Sequence, residues 1–102
     1  MSTYKAVFSD IDGTLLTSEH IVSTATIEAI ASLQDKNIPF VIISSRSASC
    51  IYPILEKHHF QCPIVACGGA WSEDMNGRIL SNEGMSKQTA ATVIEFITEK
   101  KF

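Results

Sequence analysis

Apolar residues in the first two-thirds of the chain are concentrated in three short runs, at residues 6–8, 39–43 and 62–67. The runs lack the apolar–polar alternation of a half-exposed strand, and polar residues or glycine follow each of them. Continuous apolar runs of this length are typical of strands that are covered on both faces, as in a parallel sheet. They predict three buried, parallel strands.

Segments with a helical spacing of apolar residues separate these runs. Ser23 is a candidate N-cap for a helix through about Lys36, and Asn37 can end that helix in the left-handed conformation. A second helix is predicted between residues 47 and 58, where Pro53 requires either a bend or a late start. Three strands joined by two helices through right-handed crossovers give an α/β fold with a three-layer, Rossmann-like parallel sheet.

The pattern changes in the last third of the chain. Residues 70–80 contain Asn76-Gly77 between two short runs, which predicts a hairpin, and we expect it to form a small antiparallel flap. Ser86 can then cap a last helix over residues 87–101. Its apolar stripe follows i, i+3, i+4, i+7 spacing and consists of Ala90, Val93, Ile94 and Ile97.

Composition restricts the class of protein and its partners. A chain of 102 residues makes one domain at most, and 45% hydrophobic with 19% charged residues is typical of a globular protein. The formal net charge is −3 and the basic residues are scattered, which argues against nucleic acid as a partner. No apolar run reaches the roughly 18 residues of a membrane span, and the N-terminus lacks a signal peptide's apolar region. We therefore expect no membrane partner and a cytoplasmic location.

The cysteines and histidines do not predict a metal site. Cys50, Cys62 and Cys67 show no C-x-x-C spacing, so we expect neither a disulfide framework nor a zinc site and interpret them as buried free thiols. The spacing of the three histidines supports no shared coordination sphere, and surface positions near helix ends are expected for them.

Two carboxylates follow the first predicted strand directly, at Asp10 and Asp12, and Gly13 then releases the chain into a loop. Like charges this close oppose each other's ionisation, so the pair indicates a bound cation or a shared proton. Mg²⁺ prefers carboxylate and carbonyl oxygens and would relieve the repulsion. Gly13 and Thr14 add backbone N–H groups and a hydroxyl, which suit the oxygens of a phosphate.

The second predicted strand ends in Ser44-Ser45-Arg46. Ligands of parallel α/β sheets bind outside the carboxyl ends of the strands, so these residues and the acidic pair are expected to form one site. A helix cap at Ser44 and a surface position for Arg46 are the alternative interpretation of this segment. We interpret Arg46 as a structural or phosphate-proximal residue rather than a catalytic one.

The sequence Asp10-Ile11-Asp12-Gly13-Thr14-Leu15, followed by a strand ending in Ser44-Ser45-Arg46, resembles the haloacid dehalogenase superfamily of phosphohydrolases. Residues 64–70 and the hairpin after them are similar to the Cof-like branch, in which a substrate-gating cap is inserted after the third strand. The resemblance runs through essentially the whole chain. It implies that residues 1–84 are part of a Rossmann-like catalytic core with a hairpin flap, and that residues 85–102 form the helix that begins the cap domain.

The resemblance implies a role for each matching residue. Asp10 would be the nucleophile that forms an aspartyl phosphate, and Asp12 the general acid, with a pKa raised by the neighbouring carboxylate and by partial burial. Magnesium would contact the Asp10 carboxylate and the Asp12 backbone carbonyl. The oxygens of the phosphate would be bound by Gly13, Thr14, Ser44 and Ser45.

The chain also departs from the family pattern. Ser45 stands where the family usually has glycine, and Gly68 stands where it usually has asparagine. The family's third motif, a lysine, and its fourth, an acidic Gly-Asp-x-x-x-Asp loop, both follow the cap, and Lys87 lies too early to replace that lysine. The sequence therefore resembles the first part of a longer enzyme, and we expect the chain to be truncated.

The expected activity is magnesium-dependent hydrolysis of small phosphate monoesters, such as sugar phosphates. The alternative is a catalytically incomplete remnant or interaction module that keeps the fold and binds magnesium or phosphate weakly. A receiver domain is excluded because Cys67, not an aspartate, ends the third strand. Without a strand beside it, the run at residues 6–8 would be an open apolar edge, so we expect self-association through this edge and the stripe on the last helix.

Overall fold

The computed structural model describes residues 5–100, which form a mixed α/β fold. The parallel part of the sheet contains β1 (Val7–Ser9), β2 (Phe40–Ile43) and β3 (Ile64–Ala66), joined by α1 (Thr24–Asp35) and α2 (Ala48–Lys57). The chain continues through β4 (Trp71–Glu73), β5 (Ile79–Asn82) and α3 (Lys87–Lys100). Short helical turns follow β1 at Ile11–Leu15 and β3 at Cys67–Gly69.

The sheet has the order β1-β2-β3-β4-β5. Strands β1, β2 and β3 are parallel, as predicted, and the α/β fold class is confirmed. The predicted hairpin is also present, but β4 pairs antiparallel with β3, with Val65 opposite Ser72. The hairpin therefore extends the main sheet and does not form a separate flap, which makes the sheet mixed.

Local signals set the helix ends. The Ser23 hydroxyl accepts a hydrogen bond from the backbone N–H of Thr26 at 3.2 Å, which caps α1. Asn37 adopts a φ of 58°, the left-handed conformation expected after this helix. Helix α2 begins at Ala48 and runs through Pro53, so the late start is excluded.

Both helices lie on the same face of the sheet. Their residues Ile30 and Ile51 belong to one buried cluster with Phe40, Ile42 and Ile64. This placement follows from the topology, because right-handed crossovers that always move one strand in the same direction put every connecting helix on one side.

The opposite face of the parallel strands is open within residues 5–100. Phe8 is 62% exposed and Ile43 is 40% exposed, although their strand neighbours face the core. The expectation that β1 and β2 are covered on both faces is therefore wrong for the described residues. Strand β1 also forms the expected open edge, since β2 is its one partner in the described sheet.

Helix α3 follows the predicted cap at Ser86, whose hydroxyl accepts the N–H of Thr89 at 3.1 Å. No residue of α3 is buried, and its predicted apolar stripe is largely exposed, with Ile94 at 64%. The predicted last helical residue, Lys101, lies outside the described range. None of the helices in the described range is long and apolar enough to cross a membrane.

Candidate active site

The acidic motif forms the turn at the carboxyl end of β1. Asp10 is extended, with φ −74° and ψ 162°, and its Oδ1 accepts the backbone N–H of Ile11 at 2.8 Å. Ile11 and Leu15 are buried and anchor the turn to the core. Gly13 has a φ of 77°, and a Cβ there would meet no atom within 4 Å, so the backbone angle and not the space requires glycine.

A depression of about 400 Å³ lies at the carboxyl ends of β1, β2 and β3. It is lined by Asp10, Ile43, Ser44, Ser45, Val65, Gly68 and Gly69. Three of the predicted site residues, Asp10, Ser44 and Ser45, therefore share one surface, as expected from strand ends that meet at one edge. Gly13 and Thr14 lie in the exposed turn beside it and are absent from its lining.

Ser44 is held firmly at this edge. It is 7% exposed, its N–H donates to the Val65 carbonyl at 2.9 Å, and its carbonyl accepts the Gly68 N–H at 3.0 Å. The hydroxyl oxygen accepts the N–H of Arg46 at 3.0 Å. The hydroxyl proton is left to donate to a ligand oxygen in the depression. Ser45 is exposed, and among the described residues no hydrogen bond of this kind holds it.

Asp12 is bound by both of its carboxylate oxygens to Arg46. The guanidinium Nε donates to Oδ2 at 2.9 Å and Nη2 donates to Oδ1 at 2.6 Å. This hydrogen bonding lowers the pKa of Asp12, and the positive charge of Arg46 adds to the effect. The expected raised pKa is therefore wrong, and so is the expected partial burial, because the Asp12 side chain is 57% exposed.

The ion pair between Asp12 and Arg46 was not predicted from the sequence. Arg46 was expected to have a structural role or to lie near a phosphate. One signal pointed to it: two carboxylates end β1 and a single guanidinium follows the end of the adjacent strand. Opposite charges at neighbouring strand ends are natural partners.

The oxygen atoms available at the site are of the type that Mg²⁺ prefers as ligands. The Oδ2 atom of Asp10 makes no hydrogen bond to the described residues, and a hard cation accepts such a carboxylate together with backbone carbonyls and water. The Asp12 carboxylate is engaged by Arg46, which leaves its backbone carbonyl as the second donor. Within residues 5–100, no group of three or more His, Cys, Asp or Glu side chains is arranged to hold a metal ion.

Among the described residues, no histidine or cysteine lines the depression, although His20 lies close enough to Asp12 to help lower the pKa of that carboxyl group. The Nε2 atom of His58 accepts the N–H of Val22 at 3.2 Å, which ties α2 to the loop before α1. All three cysteines are free thiols, with Cys62 buried but Cys50 and Cys67 exposed. The expectation of buried thiols is therefore wrong for two of them. Burial raises the pKa of Cys62 to about 11.

A second polar cluster was not predicted. Glu73 is 4% exposed, and its Oε2 accepts the Trp71 Nε1–H at 2.7 Å and the Tyr52 hydroxyl. The hydrogen bond to Glu73 raises the pKa of Tyr52, and desolvation and the negative charge of Glu73 add to the effect. No sequence pattern singles out Glu73, because its partner Tyr52 is 21 residues away on α2.

Parallel strands with a carboxylate pair after the first and a serine at the end of the next define an α/β protein whose candidate site lies at the carboxyl ends of its strands. A family model for haloacid dehalogenase-like hydrolases matches residues 7–102, so the chain belongs to that family. This confirms the resemblance that the motifs suggested.

Individual relatives agree with the family. A Haemophilus influenzae protein named as a phosphatase is 48% identical over 67 residues, which are 66% of this chain and 26% of that protein. Pyridoxal phosphate phosphatase YbhA of Escherichia coli is 26% identical over 98 residues, which cover 95% of this chain and 36% of YbhA.

A solved haloacid dehalogenase-like hydrolase from Bacillus subtilis superposes with a TM-score of 0.88 at 27% identity. The superposition covers 95% of this chain and 34% of that structure. The chain thus spans about a third or less of the length of such relatives.

Proposed function

We propose that this chain contributes the nucleophile and phosphate-binding part of a magnesium-dependent hydrolase of small phosphate monoesters, sugar phosphates included. The observation that supports this most directly is the shared depression, in which the Asp10 carboxylate faces the same space as the buried Ser44 hydroxyl. We also retain the division into a partial core at residues 1–84 and the first helix of a cap at residues 85–102.

In the first step, an oxygen of Asp10 attacks phosphorus and the bond from phosphorus to the ester oxygen breaks. The ester oxygen leaves with the electron pair, takes a proton from Asp12 and departs as an alcohol, while Asp10 carries the phosphoryl group. In the second step, water attacks phosphorus, Asp12 takes the proton of that water, and the bond to Asp10 breaks. The products are inorganic phosphate and the original carboxylate.

The contact with Arg46 fits the second step better than the first. Paired with a guanidinium, Asp12 is ionised and can accept a proton from water. To donate a proton in the first step, it must be protonated and released from Arg46. We infer that the pair of Asp12 and Arg46 opens when substrate enters the site.

The other polar groups would bind the phosphate and the metal. The Ser44 and Ser45 hydroxyls and the turn at Gly13 and Thr14 would bind phosphate oxygens. Asp10 and the Asp12 carbonyl would hold magnesium, which supplies positive charge to offset the charge of the phosphoryl group. The depression of about 400 Å³ is suited to a small substrate, and YbhA, the Escherichia coli relative, is named for a small phosphate monoester.

A second candidate is an incomplete module that binds phosphate or magnesium weakly without turnover. It is favoured by the engagement of Asp12 with Arg46, which binds both carboxylate oxygens of the proposed general acid. Loss of single groups that stabilise the transition state typically costs about 100- to 1,000-fold in rate.

Hydrolysis of an aryl phosphate with and without Mg²⁺ distinguishes the two candidates. We expect magnesium-dependent turnover that Asp10→Asn lowers by at least about 1,000-fold, since the nucleophile is removed. Asp35→Asn, the same change at an exposed residue that ends α1, should leave the rate unchanged. Equal rates for the wild type and Asp10→Asn would favour the binding module, and calorimetry with inorganic phosphate and Mg²⁺ would then measure its affinity.

A further inference from the structure

A larger cavity, of about 840 Å³, opens between α1, the second half of α2 and the hairpin turn. It shares no lining residue with the depression at Asp10. Its walls are largely apolar and include Ile27, Ile30, Leu55, Phe60, Ile64 and Met75. The volume is within the range of about 300–1,000 Å³ that is typical of small-molecule sites.

One wall of this cavity contains the buried carboxylate of Glu73. Its Oε2 accepts two hydrogen bonds, from the Trp71 indole N–H and from the Tyr52 hydroxyl. Its Oε1 receives no hydrogen bond from the described residues and lies 3.8 Å from the position of a Cβ built on Gly77, toward the hairpin turn that borders the cavity. None of the fully buried side-chain oxygens or nitrogens within residues 5–100 lacks a hydrogen bond, so this Oε1 atom reaches solvent and is open to a donor on a ligand.

Acidic side chains outnumber basic ones around the cavity. Glu56 and Asp74 also line it, and among the described lining residues His59 is the one basic side chain. The acidic groups are not arranged to hold a metal ion, since the described residues contain no group of three or more ligating side chains. A bare metal ion would also fill only a small part of this cavity and would make no favourable contact with its apolar walls.

We propose that this cavity binds an organic ammonium ion with an apolar body. The ammonium group donates a hydrogen bond to Oε1 of Glu73, and the body packs against Ile30, Leu55 and Phe60. The ligand supplies the cation that Glu73 lacks, and its apolar part covers half-buried side chains between the helices and the hairpin. The site is separate from the proposed phosphatase chemistry and does not depend on it.

Fluorescence of Trp71, the single tryptophan of the chain, reports binding directly. Its indole N–H donates to Glu73, so a cation on the other carboxylate oxygen alters the surroundings of the indole. We expect 2-phenylethylammonium to change the emission saturably. Its uncharged analogue, 2-phenylethanol, should bind at least about 10-fold more weakly, because it lacks a charged hydrogen bond to the carboxylate.

Three variants of the full chain test the geometry. Glu73→Gln should weaken binding of 2-phenylethylammonium by at least about 10-fold. Glu28→Gln, the same change at an exposed position of α1 outside the cavity, should have no effect. Ala31→Leu places a larger side chain at an exposed lining position and should weaken binding without disturbing the core.

The proposal is overturned if 2-phenylethylammonium gives no saturable change up to about 10 mM, or if 2-phenylethanol binds equally well. An effect of Glu28→Gln as large as that of Glu73→Gln would also overturn it. General attraction between the cation and the negatively charged protein would then explain the affinity, without a specific contact to Glu73. If Glu73→Gln does not fold, as judged by circular dichroism, the uncharged analogue and Ala31→Leu still decide the question.

Discussion

Asp10 and Asp12 have different surroundings although they are two residues apart. Asp10 keeps one carboxylate oxygen free of hydrogen bonds to the described residues, whereas both oxygens of Asp12 are bound by Arg46. The guanidinium offsets the negative charge of Asp12 and lowers the pKa of that carboxyl group. A cation was expected beside the two carboxylates, and the protein itself supplies one in the guanidinium of Arg46.

His58 is the residue whose titration should affect stability near neutral pH. Its Nε2 accepts a hydrogen bond from Val22, which requires that nitrogen to be unprotonated. Desolvation lowers the pKa of His58, and the positive charges of Lys57 and His59 add to this. The unfolded chain, with a histidine pKa of about 6.5, therefore takes up the proton first as the pH falls.

We expect the contribution of His58 to the free energy of unfolding to be constant above about pH 6.5, the pKa of histidine in the unfolded chain. Below that pH, the free energy of unfolding should decrease, because the unfolded chain binds the proton more tightly. His58→Gln should reduce the difference between urea midpoints measured at about pH 7.5 and about pH 5.5. His59→Gln, at the adjacent exposed position, should keep most of that difference. An unchanged difference in His58→Gln would show that other groups cause the acid sensitivity.

At the scale of elements, α1 and α3 begin with the same capping bond but differ in packing. Ser23 and Ser86 each accept the N–H of the residue three positions later. Helix α1 contributes Ile30 to the core, whereas α3 has no buried residue. The loss of a cap should therefore have different consequences in the two helices, because only α1 is coupled to global unfolding through the core.

Replacement of each capping serine by alanine tests this difference. Ser23→Ala should lower the free energy of unfolding by about 1 kcal/mol, measured by urea denaturation. Ser86→Ala should lower helicity, measured by circular dichroism, and leave the urea midpoint unchanged. A midpoint that shifts equally in both variants would mean that α3 is coupled to the core.

At the scale of the whole molecule, the sheet has one covered and one open face within residues 5–100. The open face ends at β1, an edge strand on which Phe8 is 62% exposed. An apolar edge with unpaired backbone groups is a template for pairing with another chain. Self-association through this edge stays our prediction for the 102-residue chain.

Sedimentation velocity at tens of micromolar measures this association. Phe8→Lys should reduce the associated fraction, because charge on an edge strand opposes pairing. Met85→Lys introduces the same charge at a residue of similar exposure, 67%, outside the sheet, and should not reduce it. A wild-type chain that is monomeric over this range would contradict the prediction.

The sequence alone determined the helices and strands and the strand ends at which the candidate site residues lie. The apolar runs, the caps at Ser23 and Ser86 and the left-handed Asn37 depend on interactions within a few residues, so local patterns were sufficient to predict them. The position of Asp10 and Ser44 at neighbouring strand ends followed from the rule for parallel sheets.

Only the tertiary structure decided which polar atoms are engaged and which face of the sheet is covered. Arg46 and Asp12 are 34 residues apart, and Tyr52 and Glu73 are 21 apart, so a crossover or a strand pairing must bring each pair together. The continuous apolar runs predicted strands covered on both faces, and only the packing of the described residues shows that Phe8 and Ile43 are exposed on the face opposite the helices. Long-range geometry therefore gave Asp12 its lowered pKa and Glu73 its cavity.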